Sequence, residues 1–338
     1  MNFKSTLKLL NFWIKNARYQ SFAQSFIPAL IALVFVANKG DGAVWLGCLA
    51  VLGVLLAHSG ANLLDDYFDY RSESVKKRRE MVDGGIRARA MKCAYIETGQ
   101  ATLKQLFVVA TIFCLLAICA GAIVFYYRGL PIFICFCVGA ILAFFYSAPP
   151  LRLSYRGFGE LVVGLLFGPT VMIGVSYATC GYFDFGALIL SIPLGILAAN
   201  ILYVHSIMDF EPDMRAGKKT LVALVGSATN AIRVCGLFLF VGYASVVCGV
   251  SFGALSPWTL LVFASAPLAF ELYRDMKSYV EQPEKKLERK FWHGPMECWD
   301  MICQAKIDWF MFRWYLSRNL MSAFALCLLV GLCVGRLV

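Results

Sequence analysis

The sequence has few charges and few histidines. Asp, Glu, Lys and Arg make up 15% of its 338 residues and there are 3 histidines, whereas 60% of the residues are hydrophobic. Mean hydropathy is +0.69. Soluble domains average about 25% charged residues, so the composition excludes an ordinary soluble protein. We predict an integral membrane protein, because the apolar residues form long runs that suit a lipid bilayer.

Two further classes are excluded by missing patterns. The 13 cysteines include no Cys-x-x-Cys pair and no Cys/His cluster with zinc spacing. Most lie in apolar runs, and we interpret them as small buried apolar side chains. The formal net charge of +10 would suit nucleic-acid binding only if the basic residues formed one face of a soluble domain. They lie instead in the loops between apolar runs, so we predict no nucleic-acid partner.

Nine apolar segments are long enough to cross a bilayer core of about 30 Å as helices. They are 22–37, 43–64, 103–126, 131–146, 161–179, 185–208, 231–250, 257–273 and 316–334. With the N-terminus in the cytoplasm, alternation places 28 of the 31 Lys and Arg residues on the cytoplasmic side and three outside. Because Lys and Arg concentrate in cytoplasmic loops, we predict an all-α protein with nine transmembrane helices, the N-terminus inside and the C-terminus outside.

We expect one domain over residues 1–338. It begins with a cytoplasmic segment at 1–20. An amphipathic cytoplasmic insertion at 277–315 contains four tryptophans beside Lys and Arg, a composition typical of an interfacial helix.

A cluster of acids ends the second apolar segment. If this stretch is helical, Asn62, Asp66, Asp69 and Glu73 share one face, with Asp65 at its edge. Carboxylates that repel one another on one face need a cation, so the pattern favours a metal site.

A second acidic pair, Asp209 and Asp213, follows the sixth apolar segment and precedes a basic stretch. Proteins usually hold Mg²⁺ through one or two carboxylates together with the phosphates of a substrate. Because both acidic helix ends lie on the predicted cytoplasmic side, we expect them to face one central cavity that binds a diphosphate with Mg²⁺. The cations available to that diphosphate are Arg79, Arg152, Arg215, Lys218 and Lys219.

A diphosphate at the mouth of a membrane bundle indicates a substrate with a lipid tail among the helices. Metal ions that neutralise a leaving diphosphate lower the barrier to breaking an allylic carbon–oxygen bond. Apolar helix walls exclude water while an electron-rich acceptor attacks.

These motifs resemble those of the UbiA-type intramembrane prenyltransferases over nearly the whole chain. Residues 62–73 resemble the first aspartate-rich motif of that family, and residues 209–213 resemble the second. Residues 79–85, 146–160 and 213–221 are most similar to the 1,4-dihydroxy-2-naphthoate branch, which makes menaquinone precursors. Asp65 stands where the family often has Asn, and Glu73 where it often has Asp.

The resemblance implies Mg²⁺-dependent transfer of a polyprenyl chain from polyprenyl diphosphate to an aromatic acceptor. The resemblance also implies catalytic roles for Asp66, Asp69, Asp209 and Asp213. The predicted metal ligands are Asn62, Asp65, Asp66, Asp69, Glu73, Asp209 and Asp213. The predicted substrate-binding residues are Asn62, Arg79, Tyr146, Arg152, Tyr155, Arg215, Lys218 and Lys219. We expect the active site to face the cytoplasm from a bacterial inner membrane.

Alternatives remain at this point. The acceptor could instead be 4-hydroxybenzoate, a haem or chlorin alcohol, or a glycerol phosphate, because pocket shape decides it. Acids near membrane exits also occur in cation transporters, although transport favours acids near the bilayer midplane. His58 and His205 are candidates for a general base or for helix packing, and Tyr155 and Glu160 for contact with the acceptor.

Overall fold

The computed structural model describes residues 3–86, 93–283, 285 and 288–337. Within these residues the protein is helical, with one isolated backbone bridge between Arg156 and Lys219 and no β-strand. Seven helices in this part of the chain are long and apolar enough to span a membrane. They are Val44–Arg71, Leu103–Arg128, Leu130–Ser147, Gly159–Cys180, Phe185–Met208, Ala228–Ser251 and Asp308–Leu337. The predicted all-α membrane class is confirmed.

The other two predicted spans are helical but less regular. Ala23–Val36 has 14 residues, about 21 Å of helix, which is shorter than a bilayer core. The segment 257–273 divides into a 3₁₀ helix at Pro257–Ser265 and an α-helix at Ala266–Glu281. Nine spans and their orientation therefore stay predictions. Four of the basic residues used for that orientation lie outside the described residues: Arg87, Arg89, Lys92 and Lys286.

The chain divides into two compact units. The first contains Met1–Arg152 and Gly174–Phe183, and the second contains Leu153–Ile173 and Asp184–Val338. The single domain over the whole chain stays a prediction.

In the first unit, a buried core fixes the end of the helix Val44–Arg71, which we call the first acidic helix. Leu63 on this helix packs in one cluster with Trp13, Tyr95 and Leu106. Leu106 belongs to Leu103–Arg128, which starts at a reciprocal cap between Thr102 and Gln105. The unit's shorter helices are Phe3–Asn16, Tyr19–Ser21 (3₁₀), Ser74–Asp83 and Ala94–Glu97.

An ion pair fixes the opposite end of the first unit. The Arg128 guanidinium donates to both Asp41 carboxylate oxygens, at 2.6 and 2.8 Å. It also donates to the backbone oxygens of Ala178 and Thr179, at 2.8 and 3.2 Å. A bidentate guanidinium–carboxylate pair restricts both partners in orientation, so it locks the loop that precedes the first acidic helix.

The centre of the second unit is the largely buried helix Phe185–Met208, which we call the second acidic helix. Asp184 caps its start by accepting from the Ala187 backbone N–H at 2.9 Å. Gly195 lets it approach another helix closely, because a Cβ there would lie 2.5 Å from the Gly164 carbonyl oxygen. That neighbouring helix runs as Gly159–Leu165, a π-helical turn at Leu166–Thr170 and Val171–Cys180. The unit's shorter helices are Leu153–Tyr155 (3₁₀), Phe210–Arg215, Leu221–Leu224, Phe291–His293 (3₁₀) and Trp299–Gln304.

The tryptophan-rich segment 277–315 is not one amphipathic helix. It contains the end of Ala266–Glu281, two short helices and the start of Asp308–Leu337, and residues 284, 286 and 287 in it lie outside the described part. Arg313 is 1% exposed and pairs with Asp275 at 2.8 Å. Its guanidinium lies 4.5 Å from the centre of the Tyr279 ring. These contacts join the helix Ala266–Glu281 to the last long helix, and the location of the segment 277–315 at the membrane interface stays a prediction.

Candidate active site

The first acidic helix carries four of the five predicted polar residues in its last turns. Asp66 is 2% exposed, and Asn62, Asp65 and Asp69 are half-buried. The Asn62 side-chain amide donates to the backbone oxygen of Ala17 at 2.8 Å and lies 3.2 Å from the Ser21 hydroxyl. These bonds attach the chain's N-terminal segment to the acidic helix end.

Arg18 forms ion pairs with two acids of the first motif. Its guanidinium lies 3.2 Å from Asp65 and also contacts the Asp66 carboxylate. The Arg18 backbone is left-handed, with φ of 60°, which turns the chain between the N-terminal helix and the next turn. Burial lowers the pKa of Arg18, but the charges of Asp66 and Asp65 outweigh burial and raise it above its ordinary value. The Arg18 guanidinium therefore stays positively charged beside the carboxylates of Asp65 and Asp66.

Two neutral donors also contact the same carboxylates. The Tyr95 hydroxyl donates to Asp66 at 3.1 Å, and the Ser147 hydroxyl donates to Asp65. Burial and the nearby Asp66 charge raise the pKa of the Tyr95 phenol, so it stays a hydrogen-bond donor. Sequence reasoning missed Arg18, Tyr95 and Ser147, because each is distant in sequence and carries no local motif.

Glu73 does not share the predicted helix face. The first acidic helix ends at Arg71, and Glu73 is exposed with a left-handed backbone, φ 59°. The hydroxyls of Ser72 and Ser74 both donate to the Asp69 backbone oxygen, at 3.0 and 2.9 Å, and so close the helix end. The expected continuous face is wrong at this residue, whereas Glu73 as a ligand stays a prediction.

Three other predicted residues of the first unit have separate surroundings in the structure. Arg79 pairs with Glu97 at 2.7 Å, and its side chain is 45% exposed. Tyr146 is half-buried in the last turn of Leu130–Ser147, next to Ser147. Arg152 is half-buried with φ of 43°, and its backbone N–H donates to the Ala148 oxygen at 3.0 Å. Their contact with substrate stays a prediction.

The second acidic motif is buried in the second unit. Asp209 is 1% exposed and Asp213 is 4% exposed. Asp209 follows the last residue of the second acidic helix, and the short helix Phe210–Arg215 carries Asp213 one turn further on. Each carboxylate faces a basic side chain: His205 lies 3.0 Å from Asp209, and the Lys218 ammonium lies 3.7 Å from Asp213. The burial and pairing of both carboxylates distinguish them from ordinary solvated helix ends.

The residues 216–220, which we call the basic loop, are held by backbone contacts. The Lys218 N–H donates to the Asp213 oxygen at 2.8 Å, and the Lys219 N–H donates to the Tyr155 oxygen at 3.1 Å. The Lys218 ammonium lies 5.8 Å from the centre of the Tyr155 ring, within cation–π range. Tyr155, Lys218 and Lys219, all predicted to bind substrate, are thus neighbours.

Arg215 and the two histidines have other partners. Arg215 is exposed and pairs with Glu211 at 2.6 Å. His58 is buried and hydrogen-bonds the Ser25 hydroxyl at 2.8 Å, as in helix packing. His205 lies 3.0 Å from the Asp209 carboxylate, so it is a direct neighbour of the second acidic motif.

The described residues contain no group of three or more His, Cys, Asp or Glu side chains close enough to hold a metal alone. Proteins commonly hold Mg²⁺ through only one or two carboxylates, with substrate phosphates and water as the other ligands. The donors that the structure does supply are hard carboxylate oxygens, and Asp65 and Asp66 already share a cation in Arg18. The donor set therefore fits a divalent cation that binds together with a phosphate-bearing ligand.

The described residues thus define an all-helical protein of the membrane class with buried, cation-paired carboxylates at helix ends. Comparison with known proteins identifies the family. Residues 25–299 match the UbiA prenyltransferase family, so the chain belongs to that family. It is a prenyltransferase, and the predicted resemblance is confirmed.

Two curated relatives and one solved structure illustrate the similarity. The chain is 27% identical over 256 residues to 1,4-dihydroxy-2-naphthoate octaprenyltransferase of Bacillus subtilis, which covers 74% of this chain and 77% of that protein. It is 35% identical over 159 residues to 2-carboxy-1,4-naphthoquinone phytyltransferase of Synechocystis, covering 46% of this chain and 50% of that protein. A UbiA homolog from Archaeoglobus fulgidus bound to GPP and Mg²⁺ shares the fold, with a TM-score of 0.56 and 14% identity over 94% of this chain and 99% of that chain.

Proposed function

We propose that the protein transfers a polyprenyl chain from its diphosphate to 1,4-dihydroxy-2-naphthoate, with Mg²⁺. The observation that carries this proposal is the burial of Asp66 and Asp213 at the ends of apolar helices, each against a cationic side chain. Buried carboxylates are stable only when paired or bound to a metal. The family relationship supplies the reaction class.

The proposed Mg²⁺ ligands are the acids of the two motifs. Asp66, Asp69, Asp209 and Asp213 are the principal ligands, and Asn62, Asp65 and Glu73 are further oxygen donors. Bound Mg²⁺ supplies Lewis-acid neutralisation of the leaving diphosphate. The solved relative bound to GPP and Mg²⁺ supports the same pairing of metal and prenyl diphosphate here. We propose that both motifs act on one diphosphate, because the sequence pattern predicts both acidic helix ends on the same side of the membrane.

The proposed diphosphate contacts come from the basic loop. The Lys218 backbone N–H bonds the Asp213 oxygen and the Lys219 backbone N–H bonds the Tyr155 oxygen, so the backbone of both lysines is held before substrate arrives. Tyr155 lies beside them. Tyr146, Arg79, Arg152 and Arg215 remain proposed contacts, of which Arg79 and Arg215 would first have to leave Glu97 and Glu211.

The reaction that these residues support is substitution at the first prenyl carbon. The carbon–oxygen bond to the diphosphate breaks, and the diphosphate leaves with the electron pair. An electron-rich ring carbon of the acceptor forms the new carbon–carbon bond and releases its own substituent as a proton or as carbon dioxide. The apolar helices exclude water, which would otherwise attack the first prenyl carbon in place of the acceptor.

The naphthoate acceptor is supported by the names of the relatives. The Bacillus subtilis protein is named for 1,4-dihydroxy-2-naphthoate and the Synechocystis protein for a carboxynaphthoquinone, and both names support our proposal of a reaction in menaquinone-type quinone biosynthesis. We also propose that nine helices span the inner membrane of a bacterium, with both acidic motifs on the cytoplasmic side.

An acceptor panel tests the proposal. Purified protein in nanodiscs receives polyprenyl diphosphate, Mg²⁺ and one acceptor at a time: dihydroxynaphthoate, 4-hydroxybenzoate, a haem or chlorin precursor, or glycerol phosphate. We expect a prenylated product with dihydroxynaphthoate and none after chelation of Mg²⁺. A prenylated product with only a different acceptor would contradict dihydroxynaphthoate as the acceptor, but it would still support prenyl transfer.

A further inference from the structure

Two adjacent aromatic side chains project from the tryptophan-rich segment. Phe291 is 92% exposed and Trp292 is 51% exposed. They belong to the 3₁₀ turn Phe291–His293, and their ring centres lie 5.1 Å apart. We call this pair the aromatic tip. Single exposed apolar side chains are common, whereas adjacent ones that the chain holds in place mark a contact surface, and the proposed reaction gives this pair no role.

The turn that carries the aromatic tip is fixed by hydrogen bonds. The Lys290 backbone N–H donates to the His293 ring at 3.2 Å, and the His293 backbone N–H donates to the Lys290 oxygen at 3.1 Å. His293 is 1% exposed. Gly294 follows with φ of +82°, and a Cβ there would lie 2.9 Å from the Asn319 side chain. An ordered turn therefore presents the two exposed rings.

Polar side chains on two helices hold the same turn. On the helix before the segment, the Glu271 carboxylate accepts from the Lys290 ammonium at 3.3 Å. On the last long helix, the buried Asn319 side chain donates to the backbone oxygens of His293 and Pro295, at 2.8 and 2.9 Å. The position of the tip is thus set by two helices that the sequence predicts to cross the membrane.

These two attachment points lie at the predicted borders of the membrane. The sequence predicts one span to end at residue 273 and the last span to begin at residue 316. Glu271 lies just before the first border, and Asn319 lies just after the second. A turn tied to both is placed where the hydrocarbon core meets the lipid headgroups. Tryptophan is enriched at that level, because its ring is apolar while its N–H can reach water.

The charges around the aromatic tip are mostly positive. The Lys290 ammonium lies 5.0 Å from the centre of the tip's indole ring, and Arg289 is exposed beside it. Arg274, which pairs with Glu271, has a side chain that is 61% exposed. The acids among these neighbours are Glu271 and the exposed Glu288, so cations exceed acids. Aromatic rings beside Lys and Arg suit a lipid interface, whereas the cores of protein interfaces are depleted in lysine.

We propose that the aromatic tip inserts into the phospholipid headgroup region on the predicted cytoplasmic side, with Arg289 and Lys290 against the lipid phosphates. The partner is the lipid bilayer itself. The interfacial element of the segment is then a rigid turn and not the amphipathic helix expected from the sequence. The tip fixes the depth in the membrane of the long connection between the last two predicted spans. This role is independent of the proposed reaction.

The first test is photocrosslinking of the full-length protein in nanodiscs of phosphatidylglycerol and phosphatidylcholine. The photoreactive amino acid p-benzoylphenylalanine replaces Phe291 in one variant and Glu281 in the control. Glu281 is exposed on the same helix as Glu271 and lies about 15 Å further along it, away from the predicted span. We expect intact-mass spectrometry to show a phospholipid adduct at position 291 and none at position 281.

The second test is amide hydrogen exchange in the same nanodiscs. The double variant Phe291→Ser/Trp292→Ser removes both rings from the interface. We expect the N–H groups of Lys290 and His293 to exchange about tenfold faster, since the turn loses the apolar burial that the lipid provides. The helix amides of residues 312–319 should be unchanged. Met301→Ser, at an apolar position of the same segment that is 61% exposed, is the matched control and should change neither set.

Absence of a phospholipid adduct at position 291, or an equal adduct at position 281, would overturn the proposal. Unchanged exchange at Lys290 and His293 in the double variant would overturn it as well. Faster exchange along residues 312–319 would show that the rings serve helix packing, against the proposal. Irradiation repeated in native membranes decides between partners: a lipid adduct supports the proposal, and a protein adduct in its place would assign the tip to a protein partner.

Discussion

The guanidinium of Arg18 lies 3.2 Å from the carboxylate of Asp65, although 47 positions separate the two residues. The same guanidinium contacts Asp66, the most buried acid of the first motif. The protein thus balances two of its proposed metal ligands with a cation of its own. A metal that binds these carboxylates must compete with Arg18.

Replacing Arg18 by Gln should tighten the binding of Mg²⁺ in the absence of prenyl diphosphate. Removal of a competing charge-assisted pair worth about 1.4 kcal/mol corresponds to about tenfold in affinity. Isothermal titration with Mg²⁺, or with Mn²⁺ followed by electron paramagnetic resonance, measures the effect.

Arg128→Gln is the control for that experiment. It breaks an equally direct pair with Asp41 before the start of the same helix, so it should leave the Mg²⁺ affinity unchanged. Weaker or unchanged Mg²⁺ binding in Arg18→Gln would show that Arg18 does not compete with the metal.

Gly195→Ala should destabilise the second unit. The added Cβ would lie 2.5 Å from the Gly164 carbonyl oxygen, which is backbone and cannot rotate away. Overpacking of this kind costs about 1–3 kcal/mol, so the thermal unfolding temperature in detergent should fall. Gly242→Ala is the matched helix control, because its nearest neighbours would be 3.9 Å from the new Cβ. Equal unfolding temperatures for the two variants would refute the close approach.

Arg313→Leu should strongly destabilise the protein, because it leaves the Asp275 carboxylate without its 2.8 Å partner. Breaking a buried pair on one side costs about 3–5 kcal/mol, whereas an exposed pair contributes about 0–1 kcal/mol. Arg274→Gln, which removes an exposed pair with Glu271, should therefore change the unfolding temperature little. Adding Asp275→Leu to Arg313→Leu should recover part of the loss, and a double variant as unstable as the sum would argue against the pair.

The sequence pattern predicted the acidic helix ends well, because the placement of these acids on a helix depends only on their spacing in the sequence. Asn62, Asp66 and Asp69 do lie on one helix, and Asp209 and Asp213 do follow the end of another. Periodicity failed at Glu73, since neither Gly nor Pro marks the helix end at Arg71 and the stop depends on hydroxyl bonds from Ser72 and Ser74.

Partners of those acids that are distant in sequence could not be predicted. Arg18 and Ser147 lie 47 and 82 positions from Asp65, so only the tertiary fold brings them together. The pairing of Lys218 with Asp213 could be predicted, because the two residues are five positions apart and a tight turn brings the chain back to Asp213. The bond between the Ser206 hydroxyl and the Glu160 carboxylate, across 46 positions, was equally out of reach, and contact of Glu160 with the acceptor stays a prediction.

The most direct test of the account is the release of diphosphate from polyprenyl diphosphate by the purified protein with Mg²⁺ and dihydroxynaphthoate. We predict release by the wild type and by Asp184→Asn, and a loss of at least about a hundredfold in Asp66→Asn and in Asp213→Asn, since each removes a charge proposed to hold the metal. Undiminished release in both motif variants would contradict the assignment of these two aspartates to the reaction.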